Sequence, residues 1–179
     1  PNHAFRHEEL ILAALSEDLP DGDITTQSLN RETREGKAKL IAKEDLVISG
    51  IDLFLETFLL VDPKLAFRFH HKNGDYVYTG ETVCEIKGNL ISCLKAERCA
   101  LNFLGKLSGI ASYTKCFVDH TIGTKTKILD TRKTLPLYRH LSKTAVKHGG
   151  GHNHRMNLID AVLIKENHIR AFGGSLKDT

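Results

Sequence analysis

The spacing of apolar residues changes near Leu94, and this change constrains the fold more than any other feature of the chain. Before it, short apolar runs separated by turn residues, such as Ala38–Ala42 and Thr82–Lys87, predict strands. After it, apolar side chains recur at helical spacing along one side of a long helix. The first 90 residues therefore predict an α+β unit with an antiparallel sheet, followed by a connecting helix.

The last third of the chain predicts a different architecture. Lys127–Asp130 is β-like, Leu137–Lys147 has helical spacing, and Ala161–Lys165 is a continuous apolar run typical of a buried parallel strand. An alternation of strand, helix and strand indicates a parallel sheet, either open or closed into a barrel. In such folds ligands bind at the carboxyl ends of the strands, where this chain carries charged residues.

Charge is distributed unevenly between these two parts. Residues 1–124 contain 14 Lys and Arg against 18 Asp and Glu, whereas residues 125–179 contain 11 against 4. The basic last part predicts binding of an anion. It is not predicted to bind nucleic acid, because its only aromatic residues are Tyr138 and Phe172 and base stacking needs more of them.

Other broad classes are excluded by simple sequence criteria. The four cysteines form no C-x-x-C pair, which indicates reduced thiols in a cytoplasmic protein. No apolar run approaches the ~18 residues of a membrane span. The amino terminus leads into a charged amphipathic segment and does not resemble a secretory signal.

The chemically richest stretch is residues 148–155, which contains three successive glycines followed by His152, Asn153, His154 and Arg155. A turn explains the glycines but not the polar residues. A lipase-type oxyanion loop would need a G-x-S-x-G motif, which is absent. The nucleotide-binding motifs G-x-x-x-x-G-K-[ST] and G-x-G-x-x-G are absent as well. A zinc site at His152 and His154 is also disfavoured, since alternate residues on a strand point to opposite faces. Recognition of a highly anionic small molecule remains.

Five basic residues are candidates for holding such an anion. Arginine can bind a carboxylate or phosphate through two parallel hydrogen bonds, and lysine acts as a point charge. The candidates are Arg98, Arg132, Lys133, Arg155 and Lys165. On the predicted long helix Arg98 shares a stripe with Asn102, Gly105 and Gly109, which is so short of bulk that another backbone could approach it closely.

Several of these residues lie in motifs that occur in a fixed order. The motifs are ER-x-x-LNFL (97–104), LSGIA (107–111), LDTRKT (129–134), GGG-x-NHR (149–155) and LIK-x-NH (163–168), with GD-x-T (22–25) near the start. Together they resemble the quinolinate phosphoribosyltransferase family, and the resemblance covers nearly the whole chain.

The resemblance implies an amino-terminal α/β sandwich with an antiparallel sheet, followed by an open α/β barrel of the type II phosphoribosyltransferase kind. We expect the sandwich and connecting helix at residues 1–109 and the first part of the barrel at residues 110–179. The implied reaction converts quinolinate and phosphoribosyl pyrophosphate (PRPP), with Mg²⁺, to nicotinate mononucleotide, pyrophosphate and CO₂. The implied assembly is a homodimer.

The resemblance also implies roles for individual residues. The matches to Arg132, Lys133, His154 and Arg155 line the quinolinate pocket, and Thr131 lies beside them. The match to Lys165 sits between quinolinate and PRPP, and that to Arg98 reaches the site of the neighbouring subunit. Lys165, Arg132 and Arg155 are thus the expected catalytic residues, acting by orientation. We expect no metal ligand within these residues, because Glu166 stands where the family commonly has Asp.

Two further points bear on this interpretation. Pro136 is usually followed by Gly-Leu-Arg in the family, but here by Leu137-Tyr138-Arg139.

The family barrel also needs further strands after Lys165, which carry the acidic residues expected to meet PRPP and Mg²⁺. We therefore expect residues 1–179 to be a fragment or a truncated form that is inactive alone and poorly folded.

Two alternatives remain open. A family member could act on another heterocyclic acid, although retention of the four pocket residues argues against this. A non-catalytic module could instead bind anions or act as a carrier, since N73-G74-D75-x-V77-x-x-G80 resembles the hairpin of lipoyl-type carriers.

Overall fold

The computed structural model describes residues 7–29 and 34–174 of the chain. The helices are α1 (His7–Asp18), α2 (Ile24–Ser28), α3 (Ile51–Val61), α4 (Leu90–Asp119), α5 (Arg139–His148) and α6 (Glu166–Ala171). The strands are β1 (Glu35–Ile41), β2 (Leu46–Val47), β3 (Ala66–Phe69), β4 (Tyr76–Val77) and β5 (Thr82–Asn89).

The first part of the chain is an α/β sandwich built on a three-stranded sheet. Its strands lie in the order β1-β5-β3 and all pairs are antiparallel, as predicted. Side chains alternate along β1 between exposed and partly buried, because one face of the sheet packs against helices and the other meets water. Phe54 and Phe58 of α3 and Ala100 and Leu104 of α4 bury that inner face.

Helix α4 is 30 residues long and connects the two parts of the molecule. Asn89 caps its first turn by accepting a hydrogen bond from the Ile91 amide at 3.0 Å. The predicted apolar side is buried, and a second apolar cluster there joins α1 and α5 to the sandwich through Ile11, Leu107 and Leu141. The helix continues without interruption through the predicted boundary after residue 109, and the division into domains stays a prediction.

The turn at Asn73-Gly74 forms, but the hairpin predicted around it does not. Strand β3 pairs with β5 and β4 pairs with β2, so the strands that flank the turn belong to different sheets. The reason is that Asn73 Oδ1 accepts hydrogen bonds from the Gly50 and Ile51 amides at 2.9 and 3.0 Å, which caps α3. The turn therefore lies against a helix end and does not offer the free tip that a carrier hairpin needs.

The prediction of a buried strand at Ala161–Lys165 is wrong for this structure. These residues form no strand, and Val162 and Ile164 are 89% and 50% exposed. A parallel strand requires a hydrogen-bonded neighbour, and within residues 7–29 and 34–174 no strand pairs with this segment. The predicted strand at Lys127–Asp130 is reduced to one bridge, whereas the helix predicted after it is present as α5.

None of the helices within the described ranges combines the length and the apolarity needed to cross a membrane.

Candidate functional site

A single parallel bridge brings two of the predicted binding segments together. Leu129 pairs with His152: the His152 amide donates to the Ile128 carbonyl at 2.8 Å, and the Asp130 amide donates to the His152 carbonyl at 3.0 Å. The two bridged segments of the chain run in the same direction, so the residues that follow each segment lie at the same edge of the bridge. These residues are Thr131, Arg132 and Lys133 after the first segment and His154 and Arg155 after the second.

The glycines before His152 serve the packing of this edge against α4. A Cβ atom at Gly149 would lie 2.3 Å from the Ala111 carbonyl oxygen, and one at Gly151 would lie 2.8 Å from the Thr114 side chain. Only glycine permits so close an approach of the chain to the helix. The sequence alone does not show that α4 is the partner of these glycines.

A buried ion pair lies under the edge. Lys143 of α5 binds Asp130, and the two side chains are only 1% and 6% exposed. Lys143 Nζ also donates to the His154 carbonyl at 2.9 Å, and the His154 amide donates to Asp130 Oδ1 at 2.8 Å. Sequence reasoning missed both residues, because a lysine in a basic helix is ordinarily solvated and only the tertiary fold buries this one.

Arg132 has an unsatisfied donor within the described structure. Its Nε atom is buried and has no hydrogen-bond partner among the described residues. An orphaned buried donor costs on the order of 1–3 kcal/mol, so an anionic ligand at this position would remove a penalty. The neighbouring Thr131 hydroxyl accepts a hydrogen bond from the Lys133 amide at 3.0 Å, which fixes the turn, and the Lys133 side chain is exposed.

His154 and Arg155 are oriented by local hydrogen bonds. The Arg155 amide donates to His154 Nδ1 at 2.8 Å, so a neutral imidazole holds its proton on Nε2, where it can be donated outward. The Arg155 guanidinium donates from Nη1 to the Ala161 carbonyl at 2.8 Å. This bond ties the edge to the extended segment that leads to Lys165.

Lys165 and Arg98 belong to other elements: Lys165 directly precedes α6, and Arg98 is on α4. The Lys165 amide donates to His168 Nδ1 at 3.0 Å where α6 begins, and its side chain is exposed. Arg98 is exposed on α4, in the bulk-poor stripe predicted from the sequence. Across the described ranges, no hydrogen bond or ion pair links the side chain of either residue to Arg132 or Arg155.

The described residues also include no group of three or more His, Cys, Asp or Glu side chains placed to hold a metal ion. Glu166 lies exposed in the first turn of α6.

The segment after Arg132 is anchored to α4 in an unusual conformation. Leu137 has φ +62°, in the left-handed region that favours glycine. The Tyr138 ring stacks on Phe103, with ring centroids 6.4 Å apart and planes 5° apart, and burial raises the pKa of Tyr138 to about 12. Asn102 and Tyr138 help to line a groove of about 310 Å³ between this segment, α1 and α4.

Two family models match consecutive parts of the chain. The model described as quinolinate phosphoribosyl transferase, N-terminal domain, matches residues 23–108, and the model of the C-terminal domain matches residues 110–178. A probable nicotinate-nucleotide pyrophosphorylase (carboxylating) of Bacillus subtilis is 40% identical over 161 residues, which are 90% of this chain and 55% of that protein. The chloroplastic nicotinate-nucleotide pyrophosphorylase (carboxylating) of Arabidopsis thaliana is 42% identical over 97% of this chain and 50% of its own.

Solved structures of similar sequence share the fold of this chain. The NadC structure from Streptococcus pyogenes has a TM-score of 0.90 and 42% identity, covering 97% of this chain and 62% of that one. Human nicotinic acid phosphoribosyltransferase, at a TM-score of 0.66, 12% identity and coverage of 85% of this chain and 39% of that one, shares the fold alone. These likenesses confirm the predicted fold class. The chain spans about half the length of the curated relatives that it matches.

Proposed function

The chain belongs to the quinolinate phosphoribosyltransferase family, and we propose that its protein transfers the phosphoribosyl group of PRPP to quinolinate with loss of CO₂. The observation that carries the proposal is the edge formed by the Leu129–His152 bridge. It places Arg132, with its orphaned buried donor, next to the segment that carries His154 and Arg155. Quinolinate has two adjacent carboxylates, and two cationic segments side by side suit such a dianion.

In the proposed complex, the basic side chains hold quinolinate and perform no covalent chemistry. Arg132 and Arg155 bind the carboxylates, Lys133 adds positive charge, and His154 donates from Nε2. Lys165 lies between quinolinate and PRPP. Their contribution is positioning and electrostatic preorganisation.

The reaction then needs two steps, a substitution at the ribosyl C1 and the loss of CO₂. The pyridine nitrogen attacks the ribosyl C1 as the bond from C1 to pyrophosphate breaks, so pyrophosphate leaves with the electron pair. The alkylated nitrogen is now positively charged. The carbon–carbon bond to the adjacent carboxylate breaks, CO₂ departs, and the ring carbon keeps the electron pair until it takes a proton.

Magnesium enters this proposal only as a companion of PRPP. When bound to pyrophosphate oxygens, Mg²⁺ would neutralise part of their negative charge.

The proposed partner is a second copy of the chain that receives Arg98. Support comes from α4, where Arg98, Asn102, Gly105 and Gly109 are all exposed and a Cβ atom at either glycine would meet nothing within 4 Å. A backbone can approach such a stripe closely. If Arg98 acts across the dimer, mixing inactive Arg98→Ala and Arg132→Ala subunits of the full-length protein restores about a quarter of the activity. No recovery from subunits shown to exchange would rule this out.

The first test of the function is quinolinate binding by calorimetry, with and without PRPP, on residues 1–179 and on the full-length protein. Arg132→Ala or Arg155→Ala should each weaken binding by at least about tenfold, since a hydrogen bond to a charged group contributes about 1.5–3 kcal/mol. Arg68→Ala is the matched control, because Arg68 is exposed on β3 in the sandwich. A folded full-length protein that does not bind quinolinate would contradict the proposal.

A further inference from the structure

The buried ion pair between Lys143 and Asp130 takes no part in the proposed reaction, and neither side chain faces solvent. Lys143 is 1% exposed and Asp130 is 6% exposed. Isolated buried charges are costly, and a buried pair is frequently no more stable than apolar residues of the same volume. General stability is therefore a poor explanation of this pair, and its connections suggest a better one.

Every polar contact of the pair leads to the edge that carries the candidate binding residues. Asp130 Oδ1 accepts from Lys143 and from the His154 amide at 2.8 Å, and Lys143 Nζ donates to the His154 carbonyl at 2.9 Å. When the Asn153 amide is turned so that its nitrogen faces these two acceptors, it donates to Asp130 Oδ2 at 2.8 Å and to the Lys143 carbonyl at 2.9 Å. The backbone of His154 is thus held on both sides by one ion pair.

The covalent neighbours of these residues are the candidate ligands of quinolinate. Asp130 directly precedes Thr131 and Arg132, and His154 directly precedes Arg155. Apart from the ion pair, one backbone bridge at Leu129 and His152 joins the two segments. Its two hydrogen bonds restrain the relative position of the exposed loops that follow only weakly. The ion pair extends that restraint by one residue along the first segment, to Asp130, and by two residues along the second, to His154.

We propose that Lys143 is a positioning residue: through Asp130 and the His154 carbonyl it fixes the two binding segments relative to each other, so that their cations meet the two carboxylates of one substrate molecule. The role of the pair in substrate binding rests on the proposed function. The register that it imposes on His154 does not.

The test compares Lys143→Met with Lys147→Met in the full-length protein. Both lysines are on α5, but Lys147 is exposed, so the same substitution there is a matched control. Lys143→Met should speed hydrogen exchange of the His154 amide and raise the Kd for quinolinate, each by about ten- to a hundredfold. Nicotinate has a single carboxylate, so its Kd should change less and the preference for quinolinate should fall. Lys147→Met should leave all three quantities unchanged.

A second variant separates positioning from folding. In Asp130→Leu/Lys143→Met both charges are gone, so the thermal midpoint should recover relative to Lys143→Met. Quinolinate binding should stay weak, because the His154 amide has lost its acceptor. Recovery of binding together with the midpoint would show a merely structural pair and overturn the proposal, as would unchanged His154 exchange in Lys143→Met. If the wild-type protein binds no quinolinate, the proposed function fails, and His154 exchange still decides whether Lys143 sets the register.

Discussion

The sandwich and the barrel part differ in whether their strands find partners within the described chain. In the sandwich β5 lies between β1 and β3, and large apolar residues such as Phe54 and Val83 are 2% and 1% exposed. In the barrel part Ile159 and Val162 are 91% and 89% exposed, and within residues 110–174 one bridge is the only parallel pairing. The candidate binding residues, apart from Arg98 on α4, nevertheless lie in the second part. The difference teaches that a site can be held by a few buried polar contacts where extended sheet pairing is missing.

The largest expected effect contrasts the apolar residues of the two parts. Phe54→Ala should lower the free energy of unfolding by about 3–5 kcal/mol, because it empties a packed core. Ile159→Ala, at an exposed position, should change it by no more than about 0.5 kcal/mol. Urea unfolding measures both. A large effect of Ile159→Ala on residues 1–179 would break the comparison, since it would mean that this side chain is buried in solution.

The next effect tests how the two parts are joined. Gly149→Ala should destabilise the protein by about 1–3 kcal/mol, because the new Cβ would collide with the Ala111 carbonyl of α4. For a single subunit, Gly109→Ala is the opposite case: its Cβ meets nothing within 4 Å of the chain, and alanine is the better helix former by about 1 kcal/mol. Thermal unfolding of the two variants should therefore shift in opposite directions. Equal shifts would disprove the close approach of the glycine-rich segment to α4.

A smaller effect concerns strain in the barrel part. Leu137→Gly should raise the free energy of unfolding by about 1 kcal/mol, because glycine adopts φ +62° without the steric cost that leucine carries. Leu135→Gly, at a nearby exposed leucine without positive φ, should lower it slightly. Chemical unfolding of both variants provides the measurement. Destabilisation by Leu137→Gly would show that the side chain contributes more than its conformation costs.

The smallest effect concerns the contact between the two parts at His148. Its Nδ1 lies 2.8 Å from the Ser49 hydroxyl, and burial lowers the pKa of His148 below its ordinary value, opposed in part by Asp52. The unfolded chain therefore binds the proton more readily. This contribution to stability is present above the unfolded pKa near 6.5 and is lost as pH falls toward the lower folded pKa.

His148→Gln should thus flatten the dependence of the unfolding free energy on pH between about 7 and 5 relative to wild type. An unaltered slope in His148→Gln would mean that this histidine is equally protonated in both states.

Sequence reasoning was most accurate where a pattern reports on its own surroundings. The helical spacing around Ala100 and Leu104 identified α4 and its buried side, and the exposed stripe with Arg98 lies where it was predicted. It failed where pairing decides the outcome: the Asn73-Gly74 turn caps α3 and joins two sheets, and Ala161–Lys165 is apolar yet unpaired. The roles of the candidate binding residues remain predictions, to be decided by the variants above.

The sequence by itself determined the long helix α4, the family and the basic character of residues 125–179, because periodicity, motif order and charge are properties of the chain alone. Only the tertiary structure decided that Lys143 is buried against Asp130 and that Gly149 contacts α4. It also showed that Leu137 stands at a left-handed position. Burial and close approach depend on residues far apart in sequence, and backbone strain depends on the loop as a whole. No local pattern encodes these properties.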